Sequence, residues 1–211
     1  MTFDLQILEL VCSRLCHDLI SPVGAVGNGL ELMAEEGDDE LLDDARKLVE
    51  SSTQRASALL QMYRCAYGNA GNQPSFGAGE AMKLFREALD PARVVFKADL
   101  PAVADWPKGF GKLLINALLT AVEWLPRGGT LSLAASESDG KAMFGLTVEG
   151  QQAGYSPDVA RLLQLDRTGV ELTAHNIQPY LTGLVANHNK FRLEVSQPAA
   201  GMAILQGRTA G

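Results

Sequence analysis

Leu5, Leu8, Cys12, Leu15, Leu19, Val26, Leu30 and Met33 recur at spacings of three and four, a rhythm dropped only at Pro22. The pattern predicts one long amphipathic helix over residues 3–34, with a kink at the proline. Gly24, Gly27 and Gly29 each lower helix propensity by roughly 1 kcal/mol relative to alanine, so packing must hold that half. Glu35, Glu36, Gly37, Asp38 and Asp39 read as a turn, with glycine closing one helix and aspartates opening the next. A second helix is predicted over 41–67, where Leu42, Ala45, Val49, Ser52, Ala56, Leu59 and Tyr63 form a coiled-coil-like seam. One hairpin does not bury two such stripes, and a homodimer completing a four-helix bundle would.

Residues 68–78 are small and polar and mark a boundary. We read 1–70 as a helical hairpin, 71–78 as a linker and 79–211 as a second domain. That second part alternates helix and strand patterns: helices at 79–89 and 108–125, strands at 92–98, 130–136 and 141–149, helices near 157–165 and 171–186, and strands at 190–196 and 202–207. Ser138, Asp139 and Gly140 sit where two strands should be joined by a tight hairpin. The expected fold class is α+β, a helical hairpin followed by a two-layer α/β sandwich with helices on one face of the sheet.

A formal charge of −7 and the lack of a basic run argue against nucleic acid as partner. Three cysteines (Cys12, Cys16 and Cys65) are odd in number, and two stand at i, i+4 on one predicted helix. That points to packing in a reducing compartment rather than to a disulfide framework. Asp4 and Glu9 occupy the place of a signal peptide's basic and apolar regions. The longest apolar window, Leu113–Leu125, includes Asn116 and Glu123 and is too short to span a bilayer. A cytoplasmic protein without membrane contact is the expectation.

The candidate chemistry lies in Arg14-Leu15-Cys16-His17-Asp18-Leu19-Ile20-Ser21-Pro22. His17 falls beside the apolar stripe, in line with Leu10, Ser13, Arg14, Ser21 and Gly24, where it would face water; a structural histidine would sit on the stripe itself. His17-Asp18-Leu19-Ile20-Ser21-Pro22 resembles the phosphoacceptor box of sensor histidine kinases, whose helical hairpin pairs into a four-helix bundle ahead of an ATP-binding sandwich. Arg-Leu-Cys-His-Asp with so short a second domain is similar to the ChpT-type bacterial histidine phosphotransferases, a family that resembles a histidine kinase without its ATP site. The resemblance implies a homodimer and a phosphorelay. The phosphoryl group would pass from a receiver-domain aspartate of a hybrid kinase (CckA-like) to His17, and then to response regulators (CtrA-like, CpdR-like).

Departures from the kinase pattern favour the phosphotransferase. Asn116 matches the first asparagine of the kinase N-box, but the second, which helps hold magnesium, is Thr120. Glu149-Gly150-Gln151-Gln152-Ala153-Gly154 stands where an Asp-x-Gly-x-Gly would read adenine, and Ala174-His175-Asn176-Ile177-Gln178-Pro179 lacks a glycine lid. Hydrogen bonds to charged groups contribute roughly 1.5–3 kcal/mol each, and a micromolar site needs only about 8 kcal/mol. Losing all three features should remove useful ATP binding. No cofactor is therefore expected, and magnesium would arrive with the partner receiver domain.

Imidazole suits the transfer because one neutral nitrogen attacks while the other hydrogen-bonds. Asp18 would orient the ring and accept its proton; Arg14, one turn earlier, would neutralise the incoming phosphoryl group or be a solvated charge; Ser21, one turn later, would donate a hydrogen bond. Leu10, Ser13, Leu19 and Ile20 would meet the partner. His175 and His188 have no partner motif and read as structural or exposed, Asn116 as hydrogen-bonding inside its helix, and Trp106 and Trp124 as core or rim packing. An active ATP-dependent histidine kinase and a non-catalytic dimeric adaptor are the alternatives.

Overall fold

Helix α1 spans Leu5–Ala34 and α2 spans Asp39–Ala66 in the computed structural model, which describes residues 4–35, 39–101 and 106–210. Asp4 opens α1 as its N-cap, its carboxylate accepting the Gln6 N–H at 3.1 Å. Pro22 lies inside α1 and is buried, so the proline does not end the helix. The expected turn between the helices includes residues 36–38, which lie outside the described residues.

The single stripe expected on α1 divides in two. Leu15, Leu19, Val26 and Met33 turn inward, whereas Leu5, Leu8, Cys12 and Leu30 are exposed in one copy of the chain. Gly29 explains how the two helices approach so closely at their far end. A β-carbon there would stand 2.6 Å from Val49 Cγ2 and 3.2 Å from the Ala45 carbonyl oxygen. Its lack of a side chain is a packing requirement as well as a propensity cost. On α2 the seam Ala45, Ser52, Leu59 and Tyr63 is buried, as its spacing foretold.

A short 3₁₀ turn, Asn69–Asn72, leads into α3, Ala78–Ala88. The stretch read from composition as a linker anchors itself: Gly71, Phe76 and Ala78 are all buried. Strand β1 (Val94–Asp99), helix α4 (Phe110–Val122), strands β2 (Gly129–Ser138) and β3 (Lys141–Glu149), helices α5 (Pro157–Leu163) and α6 (Ile177–His188), and strands β4 (Phe191–Ala199) and β5 (Met202–Thr209) follow. The last helix begins later than its predicted start at 171.

The strands form one sheet in the order β1-β2-β3-β5-β4. Only β1 and β2 run parallel; the other neighbours are antiparallel. Asp139 and Gly140 both take positive φ, 53° and 72°, at the turn between β2 and β3. Two such residues in succession match the right-handed twist of the flanking strands, as Asp-Gly predicted. Register sets the core: Leu131 faces Val148, Leu133 faces Leu146, and Leu146 faces Leu205, all buried on one side of the sheet.

Against that side lies α4, nearly apolar all round and buried from Phe110 to Ala121 except at Lys112. The same core continues into the hairpin through Ala58, Leu59, Met62, Tyr63 and Ala66. The C-terminal half of α2 is thereby fixed on the sandwich. A second cluster of Leu162, Val170, Leu172, Ile177 and Tyr180 receives Ile7, Leu10 and Val11 of α1. Two separate apolar contacts, one through α2 and one through α1, hold the hairpin on the sandwich, and His17 lies in the sequence between them.

Candidate functional site

His17 projects from the middle of α1 with 73% of its side chain exposed, as its place beside the stripe predicted. The fold turns that exposure toward a cleft rather than open water. Its Nδ1 stands 3.0 Å from Asp18 Oδ1. The other carboxylate oxygen of Asp18, Oδ2, accepts a short hydrogen bond from the Tyr63 hydroxyl on α2. The carboxylate is thus held from two sides. Burial raises the Tyr63 hydroxyl above its ordinary range, and the bond to Asp18 adds to the rise. Both effects favour the neutral, donating phenol.

Arg14 lies one turn before His17 but is not a free cation. Only 12% of its side chain is exposed, and its guanidinium is ion-paired with Glu123 at the end of α4. Burial alone would lower the Arg14 guanidinium, and Glu123 with the neighbouring phenols more than offsets it, so the net shift is upward. Burial likewise pushes the Glu123 carboxyl up, and Arg14 pulls it partly back. The pair joins the hairpin to the sandwich beside the histidine.

Two recesses open at His17. One, of about 510 Å³, is lined by Ser13, Arg14, His17, Asp18, Glu123 and His175. The other, of about 600 Å³, continues past Ser21 toward Arg55 and Arg93, over an apolar floor including Leu59 and Phe85. Ser21 is therefore a wall of the cleft. Of the surface expected to meet a partner, Ser13 is exposed and Ile20 is 71% exposed, while Leu10 and Leu19 pack partly inward.

Sequence reasoning missed Tyr63, Glu123 and His175. Tyr63 was visible only as a seam residue, and Glu123 only as an interruption in an apolar window. His175 stands in no motif that would point to a partner. It is exposed as expected, but its ring lies 6.0 Å from that of His17, edge to face at 78°. Nothing in local spacing brings residues so far apart in the chain together.

Asn116 and Thr120 hold a different kind of structure. Both are fully buried. Asn116 Nδ2 donates to the Lys112 carbonyl, inside its helix as foreseen, and also to the Ala66 carbonyl of α2, each at 2.9 Å. Its Oδ1 accepts from Gln178 Nε2 at 3.2 Å, and Thr120 Oγ1 meets Thr182 Oγ1 at 2.8 Å. Gln178 Oε1 in turn accepts from the Tyr67 hydroxyl at 2.6 Å. The network stitches α2, α4 and α6 together. Trp124 is core, and Trp106 stacks on Phe110 at 4.4 Å. Among the described residues no group of three or more His, Cys, Asp or Glu could hold a metal ion, and no helix is long and apolar enough to cross a membrane.

Burial pushes the Tyr67 hydroxyl from 10.0 up to about 12, with Arg14 opposing. A raised folded value means the neutral phenol is favoured in the native state. Its stabilisation is complete below about pH 10 and fades as pH climbs through about 12. Phenolate absorbance during alkaline titration should therefore show Tyr63 and Tyr67 ionising together with loss of helix ellipticity. Full tyrosine ionisation before any such loss would contradict the burial assigned to them.

Residues 78–201 match the family model for the histidine phosphotransferase C-terminal domain. The protein phosphotransferase ChpT of Brucella abortus (strain 2308) is 37% identical over 196 residues, covering 92% of each chain. A solved bacterial phosphotransferase structure superposes over 98% of both chains with a TM-score of 0.81 and 36% identity. The fold is also that of a histidine kinase, ThkA, solved with the response regulator TrrA. There the identity is 13% and the TM-score 0.51, over 97% of this chain and 62% of that one.

Proposed function

This chain belongs to the histidine phosphotransferase family, and from that premise we propose that it relays phosphoryl groups between receiver-domain aspartates through His17, without using ATP. The observation that carries the reading is the exposed imidazole whose Nδ1 is engaged by a fixed carboxylate at the mouth of a cleft. With Nδ1 bound to Asp18, Nε2 is the nitrogen left to attack. The P–O bond of the aspartyl phosphate breaks as the P–N bond to Nε2 forms. The carboxylate of the receiver leaves with the bonding electrons, and the proton on Nδ1 stays bonded toward Asp18, which balances the positive charge of the phosphorylated ring. Tyr63 keeps Asp18 aimed. Arg55 supplies positive charge along the cleft, Arg14 being paired with Glu123, and Ser21 a hydroxyl. In-line transfer asks little more of a scaffold than this positioning.

The cation that neutralises the phosphoryl oxygens would come with the receiver domain as its magnesium. Response regulators and the receiver of a hybrid kinase are the partners this chemistry fits. Independence from ATP is supported by Asn116, which matches the first asparagine of the kinase N-box. Here it is fully buried, with both ends of its amide committed to the protein. A homodimer is supported by the line Leu5, Leu8, Ile20, Val23 and Leu30 on α1, with Leu41, Leu48 and Leu60 on α2, all large, apolar and exposed in a single copy. A four-helix bundle of two hairpins would cover them. Such a relay belongs in the cytoplasm, where receiver domains reside.

The deciding experiment supplies radiolabelled ATP with magnesium alone, then a labelled receiver domain. Acid-labile label only in the second case is expected. Label taken directly from ATP would replace this reading with an active kinase, and no label in either case would leave a binding adaptor.

A further inference from the structure

We propose that His175, on the sandwich, is a second catalytic histidine, donating a hydrogen bond to the phosphoryl group as it moves to and from His17. The inference rests on the phosphotransfer reading of His17 and adds a residue to it. Its first support is placement. Two exposed imidazoles from distant parts of the chain meet across the cleft, ring centroids 6.0 Å apart and nearly perpendicular. The cleft they share is lined otherwise by Ser13, Arg14, Asp18, Glu123 and Ala174. Neither ring is buried by the contact, so apolar packing does not account for it.

The second support is that the segment carrying His175 is held in place from both sides. Thr173 and Asn176 bracket it reciprocally: the Thr173 N–H donates to Asn176 Oδ1 at 2.8 Å, and the Asn176 N–H to Thr173 Oγ1 at 3.3 Å. Asn176 Nδ2 also donates to the Glu171 carbonyl at 2.9 Å. Just beyond, Ile177 and Gln178 are fully buried at the start of α6. Upstream, Arg167 donates to Asp4 and to Gln6 of α1, each at 2.9 Å, and lies over the Tyr180 ring at 5.6 Å. The loop is therefore referenced to the same helix that carries His17. A side chain needed only for solubility would not require such fixing.

The third support is charge. Phosphoryl transfer spreads negative charge over three equatorial oxygens. The arginine lining this cleft, Arg14, is already paired with Glu123, and Asp18 and Glu123 both make the cleft less welcoming to an anion. An N–H donor facing His17 from the opposite wall offsets that. His175 gains and loses no proton in the step; it only donates. No bond beyond the P–O and P–N pair already described is made or broken.

Three variants test the assignment: His175→Ala removes ring and donor, His175→Phe keeps the ring without a donor, and His175→Gln keeps a donor without the ring. Transfer from a phosphorylated receiver domain to His17 is followed by rapid quench, with receiver affinity and melting temperature measured in parallel. A hydrogen bond to a charged group predicts a loss of about 10- to 100-fold in rate for the alanine and phenylalanine variants. Affinity and melting temperature should stay near wild type, and the glutamine variant should recover most of the rate. Wild-type rates in all three would overturn the proposal. So would a phenylalanine variant as fast as wild type, because the ring contact would then be packing alone. Wild-type protein that takes no label on His17 would instead sink the phosphotransfer reading itself.

Discussion

Replacing His17 with alanine should abolish acid-labile labelling by a phosphorylated receiver domain while leaving the fold intact. The side chain is 73% exposed, and surface substitutions outside caps and buried networks usually change stability by within about 0.5 kcal/mol. The loss would therefore be chemical. Asp18→Asn separates orientation from nucleophilicity. It keeps the shape of the side chain but removes the carboxylate that faces Nδ1 and receives the Tyr63 hydroxyl. A lost acid–base partner typically slows transfer by about 100-fold or more. Circular dichroism and melting should match wild type for His17→Ala. Transfer by His17→Ala at the wild-type rate would move the phosphorylated residue elsewhere, with His175 the first place to look.

Breaking the Arg14–Glu123 pair should give the largest stability loss of any single change at the site. Glu123→Leu leaves a guanidinium that is 12% exposed, and whose Nε already has no partner, without its counter-charge. Removing one member of a buried pair costs about 3–5 kcal/mol. Glu123 keeps 29% of its side-chain exposure, so solvent screening brings the expectation down to about 2–3 kcal/mol. For a chain of this size that is a fall in melting temperature of roughly 5–10 °C. The double change Arg14→Met with Glu123→Leu should recover most of it, because apolar side chains of similar volume often replace a buried pair at little cost. A double variant less stable than either single would show that the pair contributes more than its own desolvation removes.

Arg14 also marks where a sequence reading falls short. Spacing puts it one turn before His17, either to neutralise a phosphoryl group or as a solvated charge, and the structure instead buries it in an ion pair. That its charge is taken up by Glu123 was invisible, because the partner is 109 residues away, where local spacing shows it only as a break in an apolar window. The α1 stripe shows the same limit. Spacing identified which positions are apolar, but helix periodicity does not say which of two adjacent faces meets α2 and which stays open. The close approach at Gly29 and the two docking clusters decided that.

Local chemistry was enough for much of the rest. The elements, the Asp-Gly hairpin, the buried α2 seam and the exposed histidine beside a carboxylate all follow from periodicity, turn residues and neighbours within a turn of helix. These depend on contacts of short sequence separation, which the sequence itself specifies. Tertiary structure alone brought Tyr63 to Asp18, Glu123 to Arg14 and His175 to His17, and turned Asn116 and Thr120 into a buried network. Each of those joins groups tens of residues apart, and their meeting is set by how the hairpin packs on the sandwich. The exposed histidine beside its carboxylate was legible in the sequence; the cleft that frames it was made by packing.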